Sequence, residues 1–291
     1  MKRSRRANCK CLPFKFNGFP PDMSSELLYR FLDFFSLSKS KYRKHVVPFP
    51  MDSEIIISPH AYGKIVGFYT SNSFYEQEAA RMAASATRLG LRVHTTPVNS
   101  AGSWVRNAAL KPTFLLEARK SNRGPLLYVD VDAVLHRDPW PVLRTLGCDL
   151  AVYREEDRLI SATILLNDTP ATLRLLEEWK ERCDRDPEIW DQVVLQQILD
   201  EDRSSENPQY KVGELPASFC WIFDRLSNAK TDAVYIEQLQ ASRQATAHEK
   251  RGRNKWLERR QERIETIEGI LAPLMNAKID DQPRNKTGPS T

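Results

Sequence analysis

Pro125-Leu126-Leu127-Tyr128-Val129-Asp130-Val131-Asp132-Ala133-Val134-Leu135 is the stretch on which the reading of this chain turns. Behind Gly124 it opens with a short apolar run rich in β-forming residues, the pattern of a buried strand. Two carboxylates follow, two residues apart, at the strand's carboxyl end. In an open α/β sheet that edge is where ligands bind. Alternate residues of a strand share a face, so Asp130 and Asp132 are placed to converge on one cation. Hard oxygen ligands with open remaining positions suit Mg²⁺ or Mn²⁺ carrying a diphosphate. The competing reading is a strand end with two solvated aspartates in a turn. The apolar Ala133-Val134-Leu135 behind them favours a site.

Towards the amino terminus, Lys64 to Thr70 is a β-rich run ending in the turn residues Thr-Ser-Asn, and Phe74 to Leu89 is an amphipathic helix stopped by Gly90. Leu91 to Thr95 is a second strand. Strand, helix and strand at this spacing predict a parallel sheet with crossover helices. Ser103 to Ala118 reads as a helix disturbed by Pro112, and it brings Trp104, Arg106, Asn107 and Lys111 ahead of the carboxylates.

Towards the carboxyl terminus, Asp138-Pro139-Trp140-Pro141 turns into a short helix, and Asp149–Tyr153 and Ser161–Asn167 are strands. Thr169 caps a helix with Pro170 at its first position, running to about Cys183 with Leu173, Leu176 and Trp179 on one stripe. Asp186 opens the next helix and puts Asp191 and Gln192 in its first turns, where an acid also suits the helix dipole. Val212 to Phe223 is irregular, and Ala233–Ile236 is a last strand. Glu249 to about Ala272 is a charged helix that Pro273 ends or kinks. Its pairs Lys255 with Glu258 and Arg259 with Glu262 predict a self-compensated solvent face.

The chain has 291 residues, enough for a large core, with 41% hydrophobic residues and a net charge of +5. Five cysteines (Cys9, Cys11, Cys148, Cys183, Cys220) without paired metal-ligand spacing read as reduced thiols of a cytoplasmic protein. No secretory signal and no membrane span is expected. Three parts are expected: residues 1–60, a basic extension with one helix at about Ser24–Ser36; residues 61–248, the α/β domain; and residues 249–291, the charged helix and a disordered tail.

In order and content, residues 64 to 243 resemble the GT-A glycosyltransferases of the nucleotide-diphospho-sugar transferase superfamily. The resemblance rests on Ile65–Thr70, on Leu127–Leu135 with Asp138-Pro139, on Ser161–Asn167 with the Trp179 helix, and on Trp190-Asp191-Gln192. It implies a Rossmann-like, mostly parallel sheet with helices on both faces and a helical C-terminal extension. It further implies a donor site for a nucleotide-diphosphate sugar, expected to be a UDP-sugar, with Mn²⁺ or Mg²⁺ as cofactor. Thr70, Arg106, Lys111 and Asp130 would contact the donor. Asp130 and Asp132 would hold the metal. Asp191, Gln192 and Asn167 would line the sugar and acceptor pocket. Similar proteins often supply a late histidine ligand in a pattern like I-x-H-x-Q-A-S-R. Here the stretch is Ile236 to Arg243, Gln238 stands where the histidine is expected, and His248 is a second candidate.

Two other readings compete. Asp130-Val131-Asp132-Ala133-Val134-Leu135 also fits the nucleophile motif of HAD-type phosphatases, with Asp130 as nucleophile, although two strands precede it here. The basic ends (Arg3, Arg5 and Arg6; Arg251, Arg253, Lys255, Arg259 and Arg260) suit a non-catalytic nucleic-acid-binding protein, or a transferase whose hydroxyl acceptor is a hydroxymethylated DNA base rather than a saccharide.

Overall fold

The computed structural model describes residues 62–225, 233–247 and 255–280. The expected helix at Ser24–Ser36, the basic clusters before residue 61, Arg251, Arg253 and His248 lie outside the described residues.

The first strand, β1 (Lys64–Thr70), has the bounds its sequence predicts, and α1 (Tyr75–Arg88) follows it. Gly90 ends α1 at φ 69°, where the left-handed backbone turns Gly90 N onto Thr87 O and Leu91 N onto Ala86 O. The second strand is β2 (Val93–Val98). The stretch expected as one disturbed helix is two: α2 (Trp104–Ala108) and α3 (Lys111–Ser121). Pro112 falls in the first turn of α3, where its missing N–H has no partner to lose. There follow β3 (Leu126–Val129), β4 (Ala133–Leu135), α4 (Trp140–Leu143), β5 (Leu150–Glu155), β6 (Arg158–Leu166) and α5 (Pro170–Arg185). Thr169 caps α5 as predicted, its side chain accepting from Thr172 N.

The next helix, α6 (Asp191–Ser204), begins five residues later than expected, so Asp191 is its first residue. Then come β7 (Val212–Glu214), β8 (Trp221–Ile222), β9 (Ile236–Gln238), α7 (Ala241–Ala247) and α8 (Lys255–Asp280). The last strand therefore starts where Ala233–Ile236 was expected to end. Helix α8 runs through Pro273 to Asp280 rather than stopping there. The residue whose carbonyl Pro273 crowds, four positions back, is Gly269, the most adaptable backbone available.

The main sheet has the order β2-β1-β3-β6-β5-β7. Strand β1 pairs in parallel with β2 and β3, and β5 with β7, while β6 runs antiparallel to both β3 and β5. This is the α/β architecture the sequence predicts, with one reversed strand. Alternation sorts the core. Ile65, Leu127, Val129 and Leu165 face α1 through Ala79, Met82 and Ala86. Val66, Leu126, Tyr128 and Ile164 face α3, α5 and α6 through Leu115, Leu175, Trp179 and Leu195. Each of the Leu, Ile, Val and Met side chains among these contributes about 1.5–3 kcal/mol by leaving water.

A small second sheet, β4-β9-β8, carries the chain on from β3. Asp130, Val131 and Asp132 form the turn between the two sheets, closed by Ala133 N donating to Asp130 O at 3.1 Å. The two carboxylates thus sit on a turn rather than on one strand face. Helix α8 docks on this corner, with Ile264, Ile267 and Leu271 buried among Ala84, Val134 and Leu239. Its arginines are not a solvent face, whereas Lys255 is exposed. Arg259 pairs with Asp224, Arg260 with Glu78 and Arg263 with Glu237, and Arg260 and Arg263 are buried. These partners are distant in sequence, so local pairing rules could not find them.

Candidate active site

The carboxyl ends of β1 and β3 and the middle of the reversed β6 meet at one edge of the sheet. Val129 is paired with Thr163, and Asp130 N donates to Ala162 O. Ser161 is therefore beside Asp130. Helix α6 arrives here because Trp179 Nε1 on α5 donates to Asp191 O at 2.9 Å. Gln192 Oε1 accepts from Ser161 N at 3.1 Å.

Lys111, the first residue of α3, reaches into this cluster and is buried. Its Nζ lies 3.3 Å from Asp130 Oδ1, 3.3 Å from Asp191 Oδ2, 3.0 Å from Ser161 Oγ and 3.2 Å from Ser161 O. The Lys111 ammonium also stands 5.0 Å from the centre of the Tyr128 ring. Burial works against its charge, but Asp130 and Asp191 outweigh that and hold its pKa above the usual lysine value. The expectation that Lys111 offers a free cation to a diphosphate does not fit this arrangement, because its three N–H donors already face four acceptors.

Asp191 is fully buried, and burial raises its pKa despite Lys111. Its Oδ2 takes Lys111 and Ser161, while its Oδ1 is sealed with no partner among the described residues. It is not a solvated helix-start acid. Asp130 remains a third exposed, with Oδ1 also accepting from Tyr128 OH at 2.6 Å. Asp132 Oδ2 accepts from Ala241 N at 2.6 Å, and burial, with Asp130 and Glu78 nearby, raises its carboxyl to about 7.

Gln238 comes to the same corner. It lies opposite Ala133 in the small sheet, and its Nε2 donates to Ala162 O and Thr163 Oγ1. Its Oε1 is buried without a hydrogen-bond partner among the described residues. A sealed, unpaired acceptor is costly, and a bound cation is one group that satisfies it. Among the described residues no cluster of three or more His, Cys, Asp or Glu side chains is arranged to hold a metal. The set that does come together is two carboxylates and an amide, Asp130, Asp132 and Gln238, all oxygen donors fitting a hard cation.

One predicted residue stands apart and one is spent. Asn167 is at the other edge of the sheet, where its Nδ2 holds Cys148 O at 2.6 Å. The reversal of β6 carries its carboxyl end away from Asp130, so Asn167 does not line this pocket. Arg106 is half exposed at the mouth, engaged by Glu188 at 2.5 Å. Thr70 ends β1 at the correct edge, with its hydroxyl on Ser73. Sequence reasoning missed Ser161, Tyr128 and Tyr75. Tyr128 was legible, being two residues before Asp130 on the same strand face. Tyr75, raised by burial and by Asp132 and Asp130, accepts from the Trp104 indole, and the Trp104 ring packs on Trp190 at 5.7 Å. These aromatics rim the site beside Asp191.

The sequence model of the nucleotide-diphospho-sugar transferase family matches residues 100–255, more than half of the chain, and the chain belongs to that family. The HAD phosphatase reading of Asp130 is thereby set aside. No curated protein sequence matches the chain directly. Among solved structures it is similar to a glycosyltransferase involved in the glycosylation of the major capsid of PBCV-1, with 10% identity over 72% of this chain and 99% of that one and a TM-score of 0.49. It is similar to the apo form of mouse xyloside xylosyltransferase 1, with 11% identity over 60% of this chain and 96% of that one and a TM-score of 0.41. A third is the galactosyltransferase LgtC in complex with donor and acceptor sugar analogues, with 12% identity over 68% and 99% and a TM-score of 0.42. Among the described residues no helix is long and apolar enough to cross a membrane.

Proposed function

We propose that this chain is a divalent-metal-dependent glycosyltransferase that moves a sugar from a nucleotide-diphosphate donor, a UDP-sugar, to a hydroxyl acceptor. The observation that carries this reading is that Lys111 joins Asp130 to Asp191 at the carboxyl edge of the sheet, with Asp132 on the same turn as Asp130 and the Gln238 amide sharing Ala162 O with the Asp130 N–H. Asp130, Asp132 and Gln238 would hold Mn²⁺ or Mg²⁺. Once bound, the cation supplies neutralising charge for the departing diphosphate.

The chain's own residues supply the rest. Lys111 compensates Asp130 and Asp191 and fixes their separation, so it acts as a positioning residue. Once uncovered for substrate, the Oδ1 of Asp191, which has no partner among the described residues, would accept a hydrogen bond from the transferred sugar or the proton of the acceptor hydroxyl. A carboxylate whose pKa is raised by burial is suited to that proton transfer. Tyr75, Trp104 and Trp190 screen the reacting groups from water and offer ring faces beside Asp191. Of the described basic residues, Arg259 and Arg260 are spent on internal carboxylates, so these two would release no counterions to DNA, and a saccharide acceptor is favoured on that ground.

The test is hydrolysis and transfer across a panel of nucleotide-sugars, with and without Mn²⁺. Turnover of one or more donors that stops in excess EDTA supports the reading. Absence of turnover and of donor binding across the panel, or full activity in EDTA, removes it.

A further inference from the structure

We infer that the C-terminal helix α8 is a working part of the donor site, with Arg260 as the positioning residue that holds the Leu239–Ala241 backbone against Asp132. The inference rests on the reading of Asp132 and Gln238 as the groups that take the cation.

Arg260 is 2% exposed and uses all three nitrogens of its guanidinium. Its Nε donates to Leu239 O at 2.7 Å, its Nη1 to Gln244 Oε1 at 2.5 Å and its Nη2 to Glu78 Oε1 at 2.8 Å. Leu239 in turn donates its N–H to Asp132 O at 2.9 Å, and Ala241 donates to Asp132 Oδ2 at 2.6 Å. Between them Gln240 adopts φ 56°, a conformation side-chain-bearing residues rarely take. That local turn aims the Ala241 amide at the carboxylate, and it needs outside support. The Arg260 fork on one side and Gln240 Nε2 on Phe223 O at 2.9 Å on the other provide it.

A second brace lies one turn along. Arg263 grips both oxygens of Glu237, at 3.1 and 2.7 Å, and His136 Nε2 lies 2.9 Å from the same carboxylate. Glu237 precedes Gln238, so the amide and Asp132 are held from the same helix. On the far side Arg81 joins Glu78 at 2.5 Å to Glu268 at 2.7 Å and fastens α8 to α1. An apolar helix face needs none of this to dock. Buried arginines with fixed acceptors are expensive unless every donor is matched, and their geometry specifies position more than stability.

The experiment compares Arg260→Gln with Leu271→Ala, a core truncation on the same helix about 16 Å away. Arg260→Lys serves as the conservative rescue. Amide exchange of the metal-free proteins is read first. Arg260→Gln should speed exchange in residues 237–243 at least tenfold while residues 126–129 stay protected. Arg260→Lys should recover part of that loss, and Leu271→Ala should lower the melting temperature without the local signature. Calorimetric titration with UDP and Mn²⁺ is read second, and Arg260→Gln should weaken binding tenfold or more where Leu271→Ala does not. Unchanged local exchange, or equal effects of Arg260→Gln and Leu271→Ala, overturns the inference. If wild type binds no nucleotide diphosphate while the exchange pattern appears as expected, the donor-site reading fails and the brace stands as a structural one.

Discussion

The Lys111 ammonium lies 3.3 Å from the Asp191 carboxylate, and neither side chain is open to solvent. The pair links the start of α3 to the start of α6 beneath the Asp130 turn. A buried charge left without its partner is costly, so the two residues stand or fall together.

Lys111→Met removes the charge and keeps the stem. It should destabilise the protein by about 3–5 kcal/mol in urea unfolding, the scale for breaking a buried pair. Adding Asp191→Asn should return part of that loss, since the orphaned carboxylate is then gone. Strictly additive effects would show that the pair is not coupled.

Asp191→Asn alone keeps shape and burial. It should cut turnover about a hundredfold or more, the scale of acid/base or electrostatic roles. Normal steady-state turnover would return Asp191 to a purely structural place.

Asn167→Ala should do the opposite. The amide binds Cys148 O far from Asp130, so its loss costs about 0.5–1.5 kcal/mol of stability and leaves turnover intact. A kinetic defect larger than the stability loss would restore Asn167 to the site.

The contrast between Asn167 and Asp130 shows what the sequence could tell. Strand β1 was legible to the residue, since an apolar β-rich run ends at the turn Thr70-Ser71-Asn72. Gly90 marked the end of α1 through its own backbone. The direction of β6 was not legible, because apolar alternation reads the same both ways and only the neighbours β3 and β5 set it. That reversal moved Asn167 out of the site and Ser161 into it. Likewise Arg260 looked like a solvated charge, because its partner Glu78 is 182 residues away. Asp191 could be placed next to Gln192 from sequence, but not buried against Lys111.

Asp132 gives a pH signature. Burial first, then Asp130 and Glu78, raise its carboxyl to about 7, against about 3.9 in an unfolded chain. Between those values the folded protein holds a proton that the unfolded chain has released, so raising the pH through this window removes stability. Metal-free wild type should therefore lose melting temperature between about pH 4 and 7 relative to Asp132→Asn, whose residue does not titrate. Mn²⁺ requires the carboxylate, so its stabilising effect should grow as the pH rises. Parallel melting curves for the two proteins would contradict the shift.

The most direct measurement is calorimetric titration of UDP into wild type and Asp132→Ala, each with Mn²⁺ and with EDTA, alongside their melting temperatures. The account predicts wild-type binding that is roughly tenfold or more tighter with Mn²⁺, about 1.4 kcal/mol or more. It predicts that this gain is absent in Asp132→Ala, which still unfolds in one cooperative transition. Equal affinity in EDTA, or an undiminished Mn²⁺ effect in Asp132→Ala, would contradict it.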